Sequence, residues 1–287
     1  MSANASRPVP SPAVSVCVPA YCGAPHIATT IESVLAQSFS DFELLIVDDA
    51  SQDDTAAIAG RYDDPRIRIE RNQRNLGAEG NWNRCLELAR GRYFKLLPQD
   101  DVLSPNCLAL QVAALEAPGG EGLALVFCAR TIIDAAGRGI MTRRYPGRGG
   151  VIPGRSVIRR CLRHGTNLVG EPGGVLIPLA LARRVGRFDA SIGYVVDLDF
   201  WFRLLLHGDA AYLPERLVSF RISSGSWSLA IGRRQGEAVR RFIDRVAVDP
   251  AFGASRLDVA AGRLMAWLNS LLRTALYRVV RLERRTP

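Results

Sequence analysis

Two short apolar runs separated by a helical stripe decide most of what this chain can fold into. Val14 to Val18 stops at Pro19, and Glu43 to Val47 stops at Asp48 and Asp49. Each has the nearly continuous apolar character of a parallel strand buried on both faces and ending in a polar loop. Between them Ile27, Ile31, Val34 and Leu35 fall at i, i+4, i+7 and i+8, one face of a helix. That is a βαβ unit. The alternation continues with a helix over 53–62, a strand over 67–70, a helix marked by Trp82, Cys85, Leu86 and Ala89, and a strand over 93–97. A sheet with helices on both faces is the architecture this order predicts.

Beyond the loop Pro98-Gln99-Asp100-Asp101, Ser104-Pro105 has the cap and first-turn chemistry of a helix reaching about residue 115, followed by a strand over 123–127. Residues 134–154 are rich in glycine, proline and arginine and read as an irregular segment. Then come a helix over 155–163, a strand over 174–177, a helix over 197–207 and a strand over 217–221. From Leu264 onward Trp267, Leu268, Leu271, Leu272, Ala275, Leu276 and Val279 form an apolar stripe with Arg263, Ser270, Thr274, Tyr277 and Arg281 opposite. This amphipathic helix suits packing on the rest of the chain, a homodimer contact, or a membrane surface.

At 287 residues, 48% hydrophobic and 23% charged, the chain has enough apolar material for one large α/β core, residues 13–228, with a helical extension over 229–287 and a loose Ser/Pro-rich tail over 1–12. That tail has neither the charge cluster nor the apolar stretch of a signal peptide. Six scattered cysteines without CxxC spacing suit reduced core thiols and a cytoplasmic location. No run of about 18 uncharged apolar residues is present, so no segment is expected to span a bilayer. A net charge of +9 fits a polyanionic ligand such as a nucleoside diphosphate, an anionic membrane, or nucleic acid. No nucleic-acid motif accompanies it, and no nucleic-acid partner is expected.

In open α/β sheets ligands bind beyond the carboxyl ends of the strands. Asp48-Asp49 and Asp100-Asp101 stand at two such ends, and Asp197 with Asp199 opens a helix in the second half. A DD pair is also ordinary turn or cap chemistry. As ligands, such carboxylates would hold Mn²⁺ or Mg²⁺ together with phosphate oxygens. His26, His164 and His207 are too scattered for a zinc pattern. Trp82 and Trp201 read as core or pocket wall; the Arg143-Arg144 and Arg233-Arg234 pairs read as solvated charge, the first within reach of a phosphate.

The stretch VSVCVPAYCGAPHIATTIESVLAQSFSDFELLIVDDASQDDT resembles the opening of the family 2 glycosyltransferases, which have the Rossmann-like GT-A fold. The resemblance continues through NLGAEGNWNRCLELARGRYFKLLPQDDVLSP and GRFDASIGYVVDLDFWFRL and ends near LVSFRISSGSWS, about residues 13–228. It implies an inverting, metal-dependent transfer of sugar from a nucleoside-diphosphate donor, UDP or dTDP favoured, to an acceptor hydroxyl. It also implies a mixed, mainly parallel sheet flanked by helices.

By the same resemblance Pro19, Ala20 and Tyr21 line the base and ribose, Asp49 reads the base, and Gly77 and Asn83 lie near the nucleotide. The family's DxD metal motif falls on Pro98-Gln99-Asp100. Asp100 therefore stands as metal ligand, with Asp101 auxiliary and Gln99 beside the donor, while the first acid is absent. Asp197 takes the place of the catalytic base, with Val196 where the family has Glu, and Ser223 stands where a His is common. Glu171-Pro172-Gly173-Gly174 falls on the acceptor side. A glycan or lipid-linked acceptor, surface polysaccharide or glycolipid assembly, and peripheral attachment at the inner face of a membrane complete the expectation. A nucleotidyltransferase of similar fold and a nucleotide-sugar-binding pseudoenzyme are the alternatives.

Overall fold

The computed structural model describes residues 11–193, 195–222 and 234–283, with side chains in the last helix described to residue 271. The 1–10 part of the tail, Ser223 and Arg233 lie outside the described residues. The central sheet runs β3-β2-β1-β4-β9-β6-β10-β5, with β7 added to β6 and β8 to β10. Its strands are β1 (Val14–Ala20), β2 (Phe42–Asp48), β3 (Ile67–Arg71), β4 (Tyr93–Leu96), β5 (Val102–Leu103), β6 (Leu123–Ile133), β7 (Gly139–Arg143), β8 (Gly150–Ile152), β9 (Val175–Pro178) and β10 (Asp209–Arg221). The first four are parallel; β9 runs antiparallel to both β4 and β6 and joins the halves.

The apolar runs read from the sequence fill both faces, as residues of a doubly covered strand must. Cys17, Leu45, Val47, Phe94 and Leu96 point to one side, into a core shared with α3 (Gly77–Leu88), α5 (Gly154–His164) and α7 (Val196–Leu205). Val14, Val16, Val18, Leu44 and Ile46 point to the other, under α1 (Ile27–Leu35) and α4 (Cys107–Glu116). Because β2 and β3 lie on one side of β1 and β4 on the other, the chain changes direction between β1 and β4. A crevice opens there at the carboxyl ends.

Several elements differ from the sequence expectation. The helix over 53–62 contracts to α2 (Thr55–Ala59). Ser104 does not cap α4: its N–H and hydroxyl donate to Leu217 O (2.9 Å) and Arg216 O (3.0 Å), because β5 pairs with β10 instead. The segment over 134–154 holds β7 and β8, which carry no alternating pattern because neither buries a face. α6 (Leu179–Val185) is only seven residues long and was not legible as a helix; nor was α8 (Arg234–Val248).

The last helix, α9 (Arg256–Glu283), packs on α5 and α8. Its start is a reciprocal capping box: Ser255 Oγ accepts from Asp258 N (3.1 Å) and Ser255 N donates to Asp258 Oδ2 (3.0 Å). Asp258, fully buried, also receives Arg163 and, at 3.3 Å, Arg159 from α5. Burial opposes ionisation here, but the bonds from Ser255 and Arg163 outweigh it and hold the carboxyl at about 2. Since the unfolded chain ionises near 4, this stabilisation is complete above about pH 4 and is lost as pH falls through about 2. Asp258→Ala is expected to cost about 2 kcal/mol in urea unfolding at pH 7, with the difference from wild type shrinking towards pH 2.

Candidate functional site

The crevice is a cleft of about 510 Å³, of a size that suits a small ligand. It gathers Pro19, Ala20 and Tyr21 from the end of β1, Asp49 after β2, Gly77 at the start of α3, Gln99 and Asp100 after β4, and Asp197 at the start of α7. Residues separated by up to 178 positions in sequence thus share one wall-to-wall site.

The loops after β1 and β4 are locked together. Tyr21 N donates to Gln99 Oε1 (2.8 Å) while Gln99 Nε2 donates to Tyr21 O (2.9 Å), so the Gln99 amide acts as a short ladder rung between two backbones. A Cβ on Gly23 would stand 2.1 Å from Gln99 Oε1, so a side chain there would push the Gln99 amide out of this clamp. Thr30 Oγ1 lies 2.7 Å from Gln99 O and 2.9 Å from Asp101 O, so its single hydrogen is shared between the two carbonyls of the acidic turn.

Asp49 is 1% exposed and organises the opposite wall. Its carboxylate accepts from Asn72 Nδ2 (2.8 Å), Leu76 N (2.8 Å) and Gly77 N (3.0 Å), so it shapes the loop that leads into α3. Gly77 takes a φ of +74°, a conformation glycine adopts without strain. Asn83 is placed differently from the expectation. Its amide donates to Phe188 O (3.0 Å) and accepts from Phe188 N (2.8 Å), which turns it into the core between α3 and the loop before α7 and away from the cleft. Asn81 lines the cleft instead, its amide donating to Val47 O (3.0 Å). The i, i+2 spacing puts the two on different sides of α3, and sequence offered nothing to choose between them.

Asp100 lines the cleft; Asp101 does not, being fully buried beneath it. Asp101 Oδ1 accepts from Arg221 N (3.0 Å), whereas Oδ2 has no hydrogen-bond donor. Burial, then the neighbouring Asp100, push the Asp101 carboxyl well above the usual carboxylate range, and burial also raises Asp100. Arg221 holds the turn through Nε to Asp100 O (2.9 Å) and anchors the 134–135 loop through Nη1 to Asp134 O (3.1 Å). His26 belongs to this cluster: burial and Arg221 lower it, against the pull of Asp100.

Asp197, also in the cleft lining, accepts from Asn167 Nδ2 (2.9 Å) and from Leu198 N (2.7 Å). Asn167 is itself fixed by Gly170, donating to its carbonyl (3.1 Å) and accepting from its N–H (2.9 Å). Burial raises the Asp197 carboxyl to about 7, with Glu171 adding to the rise and the two hydrogen bonds opposing it. A carboxyl poised there can exchange a proton at neutral pH. Glu171 is paired with the buried Arg130 and, at 3.5 Å, with Arg143. Arg143 lines the cleft from β7, the one cationic side chain of the glycine-rich segment to do so among the described residues. Asn167 carried no recognisable sequence signal. Asp199 turns away to Arg203 (2.8 Å), and Trp201 is buried with its Nε1–H on Gly170 O (3.1 Å). Trp82 forms part of the cleft wall, edge-on to Phe188 at 5.4 Å.

Among solved structures the fold is similar to Staphylococcus aureus TarS 1-349 in complex with UDP-GlcNAc (TM-score 0.67, 18% identity, covering 90% of this chain and 72% of that one). It is also similar to the mannosyltransferase PcManGT from Pyrobaculum calidifontis in complex with GDP-Man and Mn²⁺ (TM-score 0.65, 18% identity, 95% and 76%). An uncharacterized protein of Mycobacterium tuberculosis is 31% identical over 96% of this chain and 87% of its own length. The Escherichia coli UDP-Glc:alpha-D-GlcNAc-diphosphoundecaprenol beta-1,3-glucosyltransferase WfgD is 35% identical over 36% of this chain and 40% of its own. The sequence model of glycosyl transferase family 2 matches residues 15–152, the span that builds the Asp49 and Asp100 side of the cleft. With this fold and these relatives, the chain belongs to glycosyltransferase family 2.

Proposed function

We propose that this glycosyltransferase inverts configuration while moving a sugar from a UDP or dTDP donor to an acceptor hydroxyl, and that it serves bacterial surface polysaccharide or glycolipid assembly. The observation that carries the reading is one cleft lined by Asp100, Arg221 and Asp197, the last raised to about 7.

The base and ribose would lie along Pro19, Ala20 and Tyr21, with Asp49 holding the 72–77 loop in shape against the base edge. The residues present suit Mn²⁺ or Mg²⁺ held largely by substrate. Among the described residues no group of three or more metal-ligating side chains exists, yet Asp100 faces the cleft and Asp101 Oδ2 lies below it without a donor. Hard divalent cations in phosphate chemistry commonly use one or two carboxylates and fill the rest with phosphate oxygens and water. Asp100, with Asp101 as the auxiliary ligand, would hold the ion, which when bound supplies charge neutralisation to a departing diphosphate.

Asp197 would take the proton of the acceptor hydroxyl as its oxygen attacks the anomeric carbon from the face opposite the diphosphate. The C–O bond to the diphosphate breaks as the new glycosidic bond forms, so an α-linked donor gives a β-linked product. Asn167 fixes the carboxylate, and Arg143, which lines the same cleft, would meet the diphosphate. The relative that acts on a diphosphoundecaprenol-linked sugar supports a lipid-linked acceptor. No helix of the described residues is long and apolar enough to cross a membrane. Contact with such an acceptor would be made peripherally, at the cytoplasmic face.

The test is the stereochemistry of the product. Proton NMR of the first glycoside formed from an α-linked UDP-sugar and a lipid-diphosphate-linked sugar is expected to show the β anomer; an α anomer, or nucleotide binding with no transfer to any acceptor, would contradict the reading.

A further inference from the structure

α9 has two faces, and only one of them is used by the fold. The inner face is built into the domain: a Cβ on Gly165 would meet Ala266 N at 2.4 Å, and one on Gly262 would meet Leu162 O at 2.4 Å, so the helix lies directly against α5 and the loop after it. Asn269 Nδ2 donates to His164 O (2.8 Å). On the outer face Leu257, Leu264, Trp267 and Leu271 are 80%, 57%, 51% and 50% exposed. With the exposed Ala260 they follow a 3-4-3-4 spacing, a continuous apolar stripe along four turns that no described element covers. Arg256 and Arg263, each one position before a stripe leucine, are exposed along one edge of it.

Charge decides what covers this stripe. Residues 256–287 hold seven arginines against two acidic side chains, more than half of the chain's net +9. Two copies of such a segment would bring like charge to like charge, whereas an anionic bilayer offers both an apolar interior and opposite charge. A tryptophan at the apolar–polar boundary suits the headgroup level of a membrane. We infer that the outer face of α9 docks on an anionic lipid bilayer, and that it thereby brings the acceptor wall of the cleft to the membrane surface.

The second half of the inference rests on the glycosyltransferase reading of the cleft. Thr166 and Asn167, which line the cleft and of which Asn167 is hydrogen-bonded to Asp197, follow immediately after the Gly165 turn on which α9 sits. A helix with its side chains is about 10–12 Å across, so a bilayer on the outer face lies about one helix diameter from that loop. An acceptor carried on a lipid headgroup is within reach of Asp197 at that separation; an acceptor free in solution gains nothing from it.

The test is co-sedimentation of the full chain with vesicles of phosphatidylcholine alone and of phosphatidylcholine mixed with phosphatidylglycerol, for wild type and for Leu264→Glu/Trp267→Glu. Both side chains are exposed, so the thermal melt of the variant should match wild type. Wild type is expected to bind the anionic vesicles, less so as salt rises, and the variant at least about tenfold more weakly. Equal binding of the variant, equal binding to neutral vesicles, or no binding by wild type would overturn the proposal. So would a wild-type dimer that the variant dissociates, seen by light scattering in the absence of vesicle binding, since the occupant would then be a second copy. Calorimetric titration with UDP and Mn²⁺ without vesicles reports on the cleft separately: intact nucleotide binding alongside failed vesicle binding removes the membrane surface alone.

Discussion

Asp197→Asn is expected to lower kcat by about 10²–10⁴-fold, the usual contribution of a positioned general base, while leaving nucleotide affinity within about threefold. The substitution keeps the shape of the side chain but cannot accept the hydroxyl proton, and in the proposed reaction Asp197 serves the acceptor while Asp100 serves the donor; both line the cleft. The wild-type enzyme should show kcat/KM rising with pH to a plateau above about 7, because burial holds the free carboxyl there and only the ionised form is a base. The same shift carries a stability consequence. Between about pH 4 and 7 folded Asp197 retains a proton that the unfolded chain has released, so its contribution to stability falls as pH rises through that window. Asp197→Asn removes this penalty and should unfold at a higher temperature than wild type at pH 8. A variant that loses activity but unfolds earlier than wild type at pH 8 would indicate a structural role for the carboxylate.

Asp100→Ala should act on the other half of the reaction. Turnover is expected to fall on the order of 10²-fold or more at fixed Mn²⁺, and the Mn²⁺ concentration for half activity should rise, because of the Asp100-Asp101 pair it is Asp100 that lines the cleft. Treatment of wild type with EDTA should reproduce the loss, and Mn²⁺ should restore it. The substitution deletes only the side chain, so the backbone bond from Arg221 Nε to the residue 100 carbonyl can persist. If Asp100→Ala turned over at the wild-type rate with unchanged Mn²⁺ dependence, the metal-holding role would have to move to another group.

The first half of the fold was legible because its strands are buried on both faces. An uninterrupted apolar run ending in a polar turn leaves few other structures open, and β1, β2 and β4 fall where their runs end. Legibility declined where one pattern served two purposes. Ser104-Pro105 has the chemistry of a helix start, but its backbone and hydroxyl are claimed by β10, a strand more than a hundred residues later. β7 and β8 bury no face, so nothing in their composition separates strand from loop. Within the cleft, position after a strand end singled out the pairs that hold Asp49 and Asp100, whereas Pro19, Ala20, Tyr21 and Gln99 came from the family resemblance. Asn167 depends on a loop whose place is fixed by α9, and Asn83 on a pairing with Phe188. Neither contact has a counterpart in local spacing. Gln99 was legible as a cleft residue; its amide serves as a clamp on the Tyr21 backbone, a role no side-chain pattern could announce.

The central claim is that the crevice between β1 and β4 is a nucleotide-sugar site with a metal-linked half built around Asp100. Calorimetric titration of the full chain with UDP, dTDP and GDP, each with and without Mn²⁺, tests it most directly. Binding of UDP or dTDP that tightens with Mn²⁺, and loses that dependence in Asp100→Ala while keeping it in Asp197→Asn, is the predicted result; no metal-linked binding of any of the three nucleotides would contradict it.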